Sequence, residues 1–106
     1  MQPNSKLIDD LKRQIVSLIH PLKIIIFGSA ARGDFKEGSD VDILVVVPQG
    51  MHRRHTCQEL YRKISGVKTP FDILVATPQD LQEHKDNIGL IYHTILREGK
   101  EIYAAP

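Results

Sequence analysis

An α/β domain, with a sheet covered by helices on both faces, is what this sequence predicts, and three observations carry the prediction. Runs of aliphatic and β-branched residues recur at 22–27, 41–47 and 71–76 without polar alternation, the pattern of strands buried on both sides. Segments with apolar residues at helical spacing separate and flank those runs. Carboxylates stand at the mouths of two of the strands: Asp40 and Asp42 at one, Asp72 at the other.

Leu7, Ile8, Leu11, Ile15, Leu18 and Ile19 give an amphipathic helix over 5–19, with Asn4 or Ser5 as cap and Pro21 ending it. The first strand, Leu22 to Phe27, stops at Gly28-Ser29. The second ends at Pro48-Gln49-Gly50. A helix over 53–65 follows, with Cys57, Leu60, Tyr61 and Ile64 turned inward, Gly66 just past its end, and Arg53, Arg54, Arg62 and Lys63 on a solvated face. After the third strand, Thr77 is an N-cap, Pro78 suits the first helical position, and Asp80 can reach back to the cap. Asn87-Ile88-Gly89 breaks that helix. Ile88, Ile91, Tyr92, Ile95 and Leu96 stripe a last one that Gly99 stops, and Glu101-Ile102-Tyr103 can add a terminal strand.

At 106 residues the chain is expected to be one domain, 1–106. A net charge of +1 supplies no basic field for direct nucleic-acid binding. The single cysteine excludes an internal disulfide, and the start has neither a signal peptide nor a membrane-length apolar run, so a cytoplasmic location is expected. His52, His55 and Cys57 lack the second ligand pair of a zinc site. His84 and His93 read as surface or interface residues on helices.

The chemistry concentrates in 27–42, FGSAARGDFKEGSDVD. Gly28 to Gly33 imitates the start of a P-loop, but Asp34 and Phe35 occupy the lysine and Ser/Thr positions, so a Walker-type site is excluded. A Gly28-Ser29 turn leading into Ala30-Ala31-Arg32 still aims backbone N–H groups, the Ser29 hydroxyl and the Arg32 charge at an anion. Ser39 either donates to a phosphate or braces the turn, and Lys36 in the same turn reads as solvated. Alternation along a strand puts Asp40 and Asp42 on one face. Carboxylates that close repel unless cations lie between them, and Mg²⁺ is the hard ion that takes one or two carboxylates plus substrate phosphates. If the third strand lies beside the second, Asp72 completes a site for two metals and can accept the proton of an incoming hydroxyl.

These residues, GSAARGDFKEGSDVDILV with FDILV and IYHTILREGKEIY downstream, resemble the DNA polymerase β-like nucleotidyltransferases, and in particular their minimal members. The matching positions are Gly28, Ser29, Arg32, Gly33, Ser39, Asp40, Asp42 and Asp72. The resemblance implies a mixed β-sheet flanked by helices and Mg²⁺-dependent transfer of a nucleoside monophosphate from an NTP, ATP for instance, to a hydroxyl, with pyrophosphate released. It also implies pairing with a HEPN-domain ribonuclease toxin, neutralised by AMP transfer to a tyrosine. The base- and acceptor-gripping domain of larger relatives is not expected here, so a partner or a homo-oligomer would supply that surface. Stoichiometric toxin binding without catalysis and transfer to a small molecule such as an aminoglycoside are the alternatives.

Overall fold

The computed structural model describes residues 5–34, 36, 38–84 and 91–106. In chain order these form α1 (Ser5–Ile19), β1 (Lys23–Phe27), α2 (Ser29–Arg32), β2 (Val41–Val46), α3 (Arg53–Lys63), β3 (Phe71–Ala76), α4 (Pro78–His84), α5 (Ile91–Glu98) and β4 (Lys100–Ala104). The sheet runs β3-β2-β1-β4. β1 is antiparallel to both β2 and β4, whereas β2 and β3 are parallel. The sheet is therefore mixed, and the expected terminal strand exists as its edge beside β1.

Both faces of the central strands are covered, which is why their sequences carry no alternation. On one face Leu11 and Ile15 of α1 and Leu60 and Ile64 of α3 pack with Ile24, Val41, Ile43, Val45, Ile73 and Val75. On the other a smaller cluster joins Ile25, Leu44, Val46 and Ala76 to Ile95, with Leu81 and Tyr92 against it. Among the described residues of this second layer, α4 buries none completely and α5 only Ile95. Leu60 is fully buried, so Leu60→Ala is expected to cost about 2–5 kcal/mol in denaturant unfolding. Among the described residues no helix is long and apolar enough to cross a membrane.

Several expectations need correction. α3 ends two residues early because Gln14 of α1 takes both backbone groups of Ser65: Nε2 donates to its carbonyl at 2.9 Å and Oε1 accepts its N–H at 3.0 Å. Tyr61 is not an inward residue. It is 45% exposed, its ring stacked on Phe71 at 5.7 Å and its hydroxyl on the edge of β3. Leu22 precedes β1 and stays exposed, and so do Leu18 beside a groove shared with Lys63, and Ile91 and Leu96 on α5. His84 stacks on Tyr92 at 5.9 Å. The Asn4 cap and the Asn87-Ile88-Gly89 break lie outside the described residues.

The start of α4 is built as its sequence predicts. Asp80 Oδ2 accepts from the Thr77 amide at 2.9 Å and the Thr77 hydroxyl at 3.0 Å, and Arg53 pairs with Oδ1 at 2.9 Å. Burial opposes ionisation of Asp80, but the two Thr77 donors and Arg53 outweigh it and hold the carboxyl below its ordinary value. A depressed folded-state pKa contributes stability above the unfolded value, near 3.9, that is lost as pH falls through the folded one. Asp80→Ala is thus expected to cost about 1–2 kcal/mol at pH 7 in urea unfolding, and less in acid.

Candidate active site

Gly28 ends β1 with φ 70° and ψ −150°, a conformation essentially reserved for glycine. Antiparallel register sets its neighbour Phe27 opposite Asp42. A methyl group on Gly28 would overlap Asp42 Oδ2, so the missing side chain is what lets this carboxylate lie against the turn. The Gly28 carbonyl then accepts from Ala31 N at 3.1 Å and Arg32 N at 3.0 Å, starting the one-turn α2. Buried Ala30 and Ala31 anchor that turn in the core, and Gly33, at φ 91°, closes it.

Val41 is fully buried, so the residues on either side of it, Asp40 and Asp42, project from the opposite face. Asp40 lies just before β2 and is exposed, whereas Asp42 is half-buried within the strand. Parallel register places Asp72 of β3 directly beside Asp42. The third strand does lie against the second, and all three carboxylates stand at one end of the sheet. None of the three belongs to the apolar cluster that Ile95, Leu81 and Tyr92 form on that face.

Electrostatics record the crowding. Lost hydration, then the charges of Asp72 and Asp40, push Asp42 above the ordinary carboxylate range, with Arg32 partly offsetting them. Asp72 is raised by partial loss of hydration and by the neighbouring Asp40 carboxylate. Arg32 itself reaches Asp34 at 3.4 Å. Ser39 Oγ accepts from Lys36 N at 3.2 Å, so it braces the turn, and its own proton remains a possible donor.

Among the described residues no three acidic, histidine or cysteine side chains enclose a single ion position. The arrangement fits Mg²⁺ in another way: it offers carboxylates in pairs, all hard oxygen donors, and Mg²⁺ uses one or two of these and completes its shell with water and phosphate. His52 Nδ1 instead accepts from His55 N at 3.1 Å as the cap of α3, and the Cys57 thiol donates to Ile73 O, so neither is placed as a ligand. The sequence reading missed the contact of Tyr61 with the strand that carries Asp72. Its only signal was a tyrosine four residues after Cys57 on one helical face.

Comparison with known proteins bears on the fold and the family. The family model "Polymerase beta, Nucleotidyltransferase" matches residues 6–105. A Methanocaldococcus jannaschii protein named "Putative protein adenylyltransferase MJ0141" is 33% identical over 73 residues, which are 67% of this chain and 73% of that one. The crystal structure of a "putative nucleotidyltransferase" from Sulfolobus solfataricus is 25% identical, with a TM-score of 0.62 over 93% of this chain and 78% of its own. A chain in a crystal structure of a toxin–antitoxin with AMP-PNP shares the fold at a TM-score of 0.60 and 20% identity, covering 97% of this chain and 75% of that one. With the family model spanning nearly the whole chain and a relative a third identical over two thirds of it, the chain is a nucleotidyltransferase of the polymerase β family.

Proposed function

We propose that this enzyme transfers AMP from ATP to a hydroxyl, a tyrosine of a partner HEPN toxin, and so acts as the antitoxin of a cytoplasmic pair. The observation that carries the reading is the in-register pairing of Asp42 with Asp72 beside Asp40 and the Gly28 turn. Asp40, Asp42 and Asp72 would hold Mg²⁺, two ions in all, which when bound polarises the phosphates and neutralises their developing charge. The Gly28-Ser29 turn, Arg32 and Ser39 face the triphosphate. Asp72 accepts the proton of the incoming hydroxyl. The hydroxyl oxygen then bonds to the α-phosphorus, the bond to the bridging oxygen breaks, and pyrophosphate leaves with that electron pair.

Residues 1–106 act as one nucleotidyltransferase domain in this reading, and the partner supplies the acceptor surface. The toxin–antitoxin crystals among its fold neighbours, one holding AMP-PNP, support this setting. Incubation with ATP, Mg²⁺ and a HEPN-domain toxin as candidate partner is expected to add the mass of AMP to that protein and release pyrophosphate. An unmodified partner would contradict the proposal.

One observation favours a second reading. Leu22 and Leu96, both exposed, line a groove of about 360 Å³ with Pro78 and Leu81, an apolar surface that can bind a partner without chemistry. Full neutralisation of the toxin by an Asp40→Asn, Asp42→Asn variant would select this reading.

A further inference from the structure

β3 is an edge strand among the described residues, yet it carries Asp72. The backbone bonds Val41 N to Pro70 O and Val47 N to Ala76 O set its polarity: the even-numbered residues turn their peptide groups to β2. Ile73 therefore points both its N–H and its C=O outward, away from any strand. Two side chains of α3 take the place of the missing neighbour. Tyr61 Oη accepts the Ile73 N–H at 2.7 Å, and the Cys57 thiol donates to the Ile73 carbonyl at 3.5 Å. The Tyr61 ring also lies flat on Phe71, within 9° of parallel. Both chain neighbours of Asp72 are thus held by one residue.

We propose that Tyr61 is a positioning residue for Asp72, its hydroxyl and ring fixing the backbone on either side of that carboxylate in place of a fifth strand. The site needs such a hold because a free edge has no ladder on its outer side and its peptide groups open readily. The inference rests on the proposed role of Asp72 and adds to it a residue that acts through the backbone of β3. Cys57 is the lesser hold, since a thiol is a weak donor.

Tyr61→Phe isolates the hydroxyl, because it keeps the ring on Phe71. Loss of one backbone hydrogen bond is expected to speed amide exchange at Ile73 in the metal-free chain about tenfold. Pyrophosphate release with ATP, Mg²⁺ and the acceptor protein is expected to lose about tenfold in kcat, with KM for ATP within about twofold. Faster exchange with unchanged kcat would make Tyr61 merely structural and overturn the inference. Slower catalysis with unchanged exchange would overturn it too. Should Tyr61→Phe fail to fold, Phe71→Leu removes the stack that seats the Tyr61 ring and is expected to lose about threefold in kcat, and an unchanged kcat would count against the inference. Asp72→Asn separates the levels. If it is inactive while Tyr61→Phe is silent, only the positioning role falls; if it is fully active, the proposed site falls and the inference with it.

Discussion

Asp42→Asn is expected to abolish transfer and, in the metal-free protein, to raise the melting temperature. The first effect follows from removing a carboxylate that would hold the metal. Loss of a ligand's outer partner already costs about 10–100-fold, so loss of the ligand itself is expected to cost at least about 10³-fold in kcat/KM. The second follows from the crowding of Asp40, Asp42 and Asp72. Lost hydration and like charges raise the folded-state pKa of Asp42, so the folded chain holds its ionised form less well than the unfolded chain does. That penalty is absent below the unfolded pKa, near 3.9, and grows as pH rises through the folded value. Asparagine removes it. Thermal melts without metal are therefore expected to place the variant above the parent at pH 7 and to bring the two together near pH 4. With Mg²⁺ and ATP the order reverses, because ligand at about a hundred times its Kd stabilises only the parent, by about 2.7 kcal/mol. A variant less stable than its parent without metal would mean that the three charges do not crowd one another.

Gly28→Ala is the second large effect. The substitution meets two obstacles at once: a backbone at φ 70° and ψ −150°, and an oxygen of Asp42 where the methyl must go. The backbone alone costs about 1–3 kcal/mol. Relief requires Asp42 to move, and a displacement of about 1 Å is worth about 100-fold in rate. Urea unfolding and pyrophosphate release measured on one preparation check both parts. Gly38→Ala is the contrast, since no atom of the described residues lies within 4 Å of its would-be methyl. It carries the backbone strain of φ +89° without the clash, so it is expected to lose stability but little activity.

Much of this was written in the chain itself. Unbroken aliphatic runs announced covered strands, and the Thr77-Pro78-Asp80 cap formed as its spacing predicts because capping is local. The Gly-Ser turn and the Asp40-Val41-Asp42 triplet were legible for the same reason. The partnership of Asp42 with Asp72 was visible only as a condition, since register between distant strands is set by the whole sheet. Less legible still were contacts between a side chain and distant backbone. Gln14 ending α3 at Ser65 and Tyr61 standing in for a strand at Ile73 both join segments that no periodicity links. Tyr61 was expected to face inward because aromatic residues at helical spacing usually do. Its hydroxyl found an edge N–H instead, and the ring stayed half in water.

The convergence of the three aspartates on the Gly28 turn is tested most directly by paramagnetic broadening of backbone amide resonances with Mn²⁺ and AMP-PNP. Broadening is predicted to centre on residues 28–29, 40–42 and 72 together, and to vanish in Asp42→Asn. Broadening that spares residue 72, or that centres elsewhere on the sheet, would contradict a shared metal and triphosphate site.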